Sequence, residues 1–325
     1  MIHPTVLRGA DRQADPHRLV VMSRPRASDH EIDHRTDPLM SLVKLKPTGR
    51  GRNYSWARGV AESAQSLIYT GHWPARLMNA WGRRRVEVVR HDIAAARDGR
   101  PPLRVGFASD FHVGPLTPPR LLEHALERLA AEKPDLVVFG GDYVFLDVTT
   151  RMADVIADLV GRVPAAAKVA VLGNHDLWTD HGLIEDALAR GGARVLVNQA
   201  LRLAPPHDDV AVVGLDEPWT GAPDPDRAFA EAGDAPVRIA VAHAPEGYPH
   251  VRGRGAALML CGHTHGGQVA TPLGPIVVHG PLGRRWPAGL YDVDGMPLFV
   301  SRGLGIVDLP LRLYAPPDVA LLSVT

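Results

Sequence analysis

Five short motifs place metal-ligating residue types at intervals along the second two thirds of the chain: Asp110-Phe111-His112, Gly141-Asp142, Gly173-Asn174-His175-Asp176, a solitary His243, and Gly262-His263-Thr264-His265. Taken singly, each has a simpler reading. An aspartate after a strand is commonly a cap or turn residue, a lone histidine after an apolar run is commonly structural, and the glycines are loop punctuation. Together they form a donor set. In extended backbone, residues two apart project to the same side, so Asp110 with His112 and His263 with His265 are each expected to present two donors to one locus. Imidazole and carboxylate suit borderline or hard divalent ions such as Zn, Mn or Fe. The single cysteine, Cys261, sits in an apolar run and reads as a small buried hydrophobe, so a thiolate site is not expected. More than four potential ligands implies two ions, an arrangement that recurs in phosphatases and nucleases.

The elements that must position these motifs are legible around them. Residues 103–108, 136–139 and 168–172 read as buried strands, and the first two are separated by a helix whose apolar face includes Leu121, Leu122, Ala125, Leu126 and Leu129. Segments 210–215, 238–242, 257–261, 297–301 and 319–324 follow with less helix between them, which predicts a second or mixed sheet in an α/β layering. The motifs fall just past the carboxyl ends of these strands, where open α/β sheets place their sites.

Composition bounds the rest. With 325 residues, 45% hydrophobic and 22% charged, the chain has the make-up of a soluble globular protein with a sizeable core. No apolar run approaches the roughly 20 residues that cross a bilayer, one cysteine excludes a disulfide scaffold, and no secretory apolar run appears near the start. A cytoplasmic location, peripheral to a membrane or not, is the expectation. The balance of 36 basic and 36 acidic residues conceals an asymmetry: residues 1–39 carry 6 and 6, residues 40–100 carry 12 and 4, and residues 101–325 carry 18 and 26, for nets of 0, +8 and −8. An acidic body argues against a general nucleic-acid face, and no specific nucleic-acid partner is predicted.

Residues 1–53 show almost no apolar periodicity and are expected to be disordered. Residues 54–82 read as two amphipathic helices rich in basic and aromatic residues, with Trp56, Val60, Ala64, Leu67 and Ile68 at helical spacing, then Leu77, Met78 and Trp81. With Arg58, Arg76 and Arg83 to Arg85, the stretch 54–85 suits an anionic membrane surface; docking of the helices on the main domain is the alternative. Residues 83–325 are expected to form the catalytic domain.

In this order the motifs resemble those of the calcineurin-like metallophosphoesterases, over about residues 83–325. Gly262-His263-Thr264-His265-Gly266-Gly267-Gln268 and Ser301-Arg302-Gly303-Leu304-Gly305 are similar to the bacterial YkuE/YaeI-type branch, many members of which begin with a membrane or export segment where this chain has a basic extension. The resemblance implies a four-layer αββα fold, two packed mixed β-sheets flanked by helices. It implies two divalent metal ions, one held by Asp110, His112 and His265, the other by Asn174, His243 and His263, with Asp142 between them. The implied reaction is hydrolysis of a phosphodiester or pyrophosphate by a metal-bridging hydroxide, on a lipid-linked or nucleotide-linked substrate. His175 is free to serve the leaving group, with Asp176 orienting it or capping a helix. Arg302 is a candidate phosphate clamp or a plain surface charge, and Trp219 lines a pocket or packs. A nuclease or phosphomonoesterase of the same fold, or a metal-binding scaffold without activity, are the competing readings. Oligomeric state is not legible.

Overall fold

The computed structural model describes residues 47–80, 86–97 and 99–325. In chain order its elements are α1 (Trp56–Ile68), α2 (Trp73–Ala80), β1 (Glu87–Ile93), β2 (Leu103–Ala108), α3 (Pro119–Ala131), β3 (Leu136–Phe139), α4 (Thr150–Gly161), β4 (Ala167–Ala170), α5 (Asn174–Trp178), α6 (His181–Arg190), β5 (Arg194–Val195), β6 (Gln199–Arg202), β7 (Val210–Gly214), α7 (Pro225–Glu231), β8 (Val237–Val241), β9 (Leu258–Cys261), the β10–β11 hairpin (Ala270–Thr271 and Gly274–Pro275), β12 (Gly289–Val293), β13 (Met296–Val300) and β14 (Asp318–Val324).

Two six-stranded mixed sheets result, ordered β1-β14-β2-β3-β4-β5 and β12-β13-β9-β8-β7-β6. The central strands β2, β3 and β4 run parallel, as do β7, β8 and β9. Strands covered on both faces read as continuous apolar runs, and Leu-Val-Val-Phe of β3 is buried throughout. The sheets pack face to face through Val105, Phe107, Val138, Ile239, Val241 and Leu260, with Phe107 edge-on to Phe299 at 6.0 Å between centroids. Helices α3, α4 and α6 cover the outer face of the first sheet, and α7 with its neighbours covers that of the second. This is the expected αββα layering. The patterning missed the edge strands β5, β6 and β12, which are short or partly exposed, and the insertion of β14 between β1 and β2.

Of the segment expected to be disordered, residues 1–46 lie outside the described residues, as do Trp81 and Arg83 to Arg85. Residues 47–53 form a strap on the catalytic body. Gly51 N–H donates to Leu177 O (2.7 Å), Arg52 N–H to Thr220 O (2.8 Å), and Arg50 forks onto Asp216 (2.7 and 2.8 Å). Gly51 is required by the closeness of this approach, since a Cβ there would stand 2.7 Å from Leu177 O. Beyond the strap, α1 starts at Ser55, whose hydroxyl accepts from Arg58 N–H. The apolar stripe of α1 faces away from the domain: Trp56, Val60, Leu67 and Ile68 are exposed, whereas Gly59 and Glu62 are buried. No helix among the described residues is long and apolar enough to cross a membrane.

Candidate metal centre

The five motifs arrive at one place because β2, β3, β4, β8 and β9 end at it. Ser109-Asp110 follows β2, Gly141-Asp142 follows β3, Asn174 and His175 open α5 after β4, His243 follows β8, and His263 and His265 follow β9. Asp110, His112, Asp142, Asn174, His243, His263 and His265 are all buried. The convergence is not achieved by extended backbone, as the spacing argument supposed. Asp110, His112, Asp142, His263 and His265 have φ of 56°, 46°, 55°, 71° and 53°. Left-handed backbone costs a non-glycine residue about 1–2 kcal/mol, and such residues cluster where function over-determines the geometry. Each pair is thus turned inward by two left-handed residues flanking a third. The loop also needs Gly262, because a Cβ there would collide with the Asp110 carboxylate.

Ligand-capable atoms fall into overlapping groups, Asp110 with His112 and His265, His112 with Asp142 and His175, and Asp142 with His243 and His263, each with its atoms within 4.8 Å of one another. Asp142 Oδ2 stands 3.6 Å from His112 Nε2 and 3.2 Å from His243 Nε2. His112 and His265 face each other across 3.1 Å between their Nε2 atoms. Behind the rings, Val144 O lies 3.2 Å from His112 Nδ1 and Gly140 O lies 2.7 Å from His243 Nδ1. A carbonyl acceptor at Nδ1 fixes a proton there and turns Nε2 toward the centre, which is how proteins orient metal-binding imidazoles. Arg312 Nη2 lies 2.9 Å from His265 Nδ1, but Arg302 O and Gly305 O, at 2.8 and 2.7 Å, can take both hydrogens of that nitrogen.

One buried lone-pair atom of the set, Asn174 Oδ1, has no hydrogen-bond partner among the described residues, and His263 turns Nδ1 to the cluster, 3.3 Å from His243 Nε2. Such an orphan is rare and calls for an ion or water. Burial lowers His112 to about 4 and His263 to about 3, and holds His175 and His265 well below their ordinary value. Burial also opposes a charge on His243, yet the Asp142 carboxylate beside it overrides this and raises it to about 10. Asp142, despite burial, is kept ionised by the surrounding imidazoles, while burial raises Asp110 to about 6. Imidazoles gathered around carboxylates, those of His112, His175, His263 and His265 kept neutral by burial, are a donor set suited to divalent cations.

Three expected residues behave differently from the ligand set. His175 keeps its ring against His112 (4.9 Å) and Trp178 (5.4 Å), and its backbone N–H donates to Asp142 Oδ1 (2.9 Å). Asp176, expected to orient His175, gives its carboxylate to three backbone N–H groups, those of Gly173, Asp142 and Tyr143, each at 2.8 Å. Lying in the first turn of α5, it is the acceptor that the local orphan donors require. Arg302, the candidate clamp, is turned to Asp318 (2.7 Å) and Glu87 (2.6 Å), so two acidic groups at the sheet edge already hold its fork. Sequence reasoning also passed over Arg58, whose Nη2 lies 3.3 Å from His175 Nε2. Its only signal was membership of a basic segment. Trp219 does border the centre, its ring 4.9 Å from that of His263.

A model of the calcineurin-like phosphoesterase family matches residues 103–267. The chain is similar to the phosphodiesterase YaeI of Escherichia coli, at 34% identity over 243 residues, which is 73% of this chain and 87% of that one. It is 30% identical to the uncharacterized metallophosphoesterase YkuE of Bacillus subtilis over 66% of this chain and 76% of that one. The UDP-2,3-diacylglucosamine pyrophosphatase LpxG of Chlamydia trachomatis is 24% identical over 68% of this chain and 83% of its own.

Proposed function

Because the chain belongs to the calcineurin-like phosphoesterase family and is a metal-dependent phosphoester hydrolase, we propose that its centre holds two divalent ions and hydrolyses a phosphodiester or pyrophosphate. Asp110, His112 and His265 would hold one ion, Asn174, His243 and His263 the other, and Asp142 would reach both. The observation that carries the reading is the position of Asp142 Oδ2, within 3.6 Å of the Nε2 atoms of His112 and His243, one from each set. The orphaned Asn174 Oδ1 and the inward Nδ1 of His263 fit the same donor set. Ions bound there supply Lewis acidity toward a phosphoryl oxygen and lower the pKa of water toward neutrality.

The remaining work falls to side chains. His175 stands beside the cluster without being needed as a ligand, and an anionic phosphate placed against it favours its protonated form. It then hands that proton to the departing oxygen. Asp176 keeps the loop backbones of Gly173 and Asp142 in register, so that the ligands on two strands meet. A diester or pyrophosphate as substrate is supported by the similarity to a phosphodiesterase and to a UDP-2,3-diacylglucosamine pyrophosphatase.

The test uses purified protein loaded with Mn or Zn and a generic aryl phosphodiester. Turnover by the wild type is expected, with His175→Ala falling by roughly 10²–10⁴-fold at unchanged metal content and Asp142→Asn losing metal by elemental analysis. A wild type inert toward a broad phosphoester panel with several metals overturns the reading.

One further observation favours a lipid-linked substrate met at an anionic membrane surface. The exposed large apolar residues concentrate on α1 and α2, on the β10–β11 hairpin and its flank (Leu273, Ile276, Val277), and on residues 309–314. These segments adjoin: Tyr69 OH donates to Asp308 O (2.9 Å), and Ala270 N–H to Leu313 O (2.8 Å). Exposed apolar side chains gathered on neighbouring segments in this way are a feature of interaction surfaces.

A further inference from the structure

The strap and α1 bring a guanidinium to the centre from outside the segment 103–267 that the family model matches. Arg58 Nη2 lies 3.3 Å from His175 Nε2, and because a guanidinium only donates, the imidazole accepts. The guanidinium lies over Trp178, 3.8 Å from the ring centroid, and Trp178 in turn packs edge-on against His175. Glu62 Oε1 accepts from Nε at 2.7 Å, and Glu62 Oε2 accepts from Tyr54 OH at 2.7 Å. Orientation is therefore set on three sides: a carboxylate behind, an indole below, and a histidine of the centre ahead. Among the described residues Nη1 has no hydrogen-bond partner, and the side chain keeps 30% exposure. The exposed part borders a recess of about 560 Å³ lined by Asn53, Ser55, Arg58, Trp178, Trp219 and Thr220. The recess spans from the tryptophan that touches His175 to the one that touches His263.

We infer that Arg58 is a phosphoryl-binding residue of this centre, supplied by α1 from outside the matched family segment of the same chain, and that the recess beside it receives the group esterified to the phosphate. The inference rests on the phosphoesterase reading above. A guanidinium fork matches two phosphoryl oxygens, and a phosphate against His175 exchanges the Arg58–His175 contact for a charge-assisted pair. That exchange also releases His175 Nε2 to face the departing oxygen. Glu62 acts as a positioning residue, since it holds Nε and leaves the Nη edge for the ligand. A neutral structural role would instead confine Arg58 to the ion pair with Glu62 and the stack on Trp178.

Arg58→Ala and Arg58→Lys in the full metal-loaded chain separate the two roles. The probes are an aryl phosphodiester and inorganic phosphate, the latter measured both as a competitive inhibitor and by calorimetric titration. Arg58→Ala is expected to raise KM and the phosphate Kd by about tenfold or more, the scale of a charge-assisted pair, at unchanged metal content. Arg58→Lys, which keeps the charge and loses the fork, is expected to fall between. If Arg58→Ala lowers the melting temperature but leaves KM and the phosphate Kd at wild-type values, the inference is overturned. Should Arg58→Ala not fold, Arg58→Lys decides: a raised phosphate Kd supports the assignment and a wild-type Kd removes it. A wild type that turns over no phosphoester removes the phosphoesterase reading and this inference together, whereas an active wild type with unaltered Arg58 variants removes Arg58 alone.

Discussion

Helices α1 and α3 have the same length, 13 residues, and the same three-and-four spacing of apolar side chains, yet they use their faces in opposite ways. Helix α3 buries Leu121, Leu122, Ala125, Leu126 and Leu129 against the first sheet. Helix α1 turns Glu62 and Gly59 inward and leaves Trp56 at 71%, Leu67 at 78% and Ile68 at 60% exposure. The physical difference lies in what each helix meets. Helix α3 connects parallel strands β2 and β3 and must lie on their apolar face. Helix α1 lies at the rim and is held by polar contacts: Arg58 on His175 and over the Trp178 ring, Gln65 and Tyr69 on Asp308. Periodicity announces an amphipathic helix and is silent on which face meets protein.

The comparison breaks most readily at matched leucines. Leu126→Ala in α3 is expected to lower the free energy of urea unfolding by about 2–5 kcal/mol, because it leaves a cavity in a fully buried cluster. Leu67→Ala in α1 should change it by less than about 0.5 kcal/mol. Equal losses would show that the α1 stripe is covered by protein after all.

A second measurement asks what the exposed stripe does. Flotation of the full-length chain with anionic vesicles is expected, and the combined Trp56→Ser, Leu67→Ser, Ile68→Ser variant should weaken partitioning by at least about tenfold, since each apolar side chain buried contributes roughly 1.5–3 kcal/mol. A wild type that stays with the soluble fraction eliminates the lipid-surface reading while leaving the metal centre untouched.

The smallest effect is expected at a buried ion pair of the sheet body, away from the exposed polar contacts of α1. Arg97, fully buried, sews the end of the β1–β2 connection to the β6–β7 turn through Asp209 (2.7 and 3.0 Å), and the hydrogen bonds from Arg97 hold the Asp209 carboxyl below its ordinary value of 3.8. A depressed folded-state pKa contributes stability that is complete above the unfolded value and fades as pH falls through the folded one. The stability gap between wild type and Asp209→Asn should therefore be widest near neutrality and close below about pH 4. A gap that is constant with pH would mean that Asp209 contributes by packing and not by charge.

How far the sequence carried is best seen at particular residues. Strands of continuous apolar character, β3, β7 and β9, were legible because burial on both faces leaves no polar interruption, and β2 and β8 are interrupted only near their starts, by Arg104 and Arg238. The motifs after them were legible for the same reason: a strand end fixes where a polar residue can emerge. Strand β12 was not, since only one of its faces is covered: Leu290 and Asp292 are exposed with Tyr291 half-buried between them, which leaves no continuous apolar run. Arg302 and Asp176 were read by residue type as site groups. Asp176 caps its own helix at Gly173 N–H, as its place in the first turn allowed, but its other partners, the N–H groups of Asp142 and Tyr143, and those of Arg302, Asp318 and Glu87, come from strands and loops that no local pattern reveals. Arg58 was hidden for the converse reason, since it lies 117 positions from the histidine that it touches.

Residue chemistry and order along the chain sufficed to determine the layering and the family, because strand burial and residue type are written locally. Tertiary structure alone decided which way α1 faces, where Arg302 and Asp176 spend their charges, and how five left-handed residues turn the motifs inward. Those outcomes depend on which surfaces and backbone groups compete for the same side chain, and that competition exists only once the sheets have stacked.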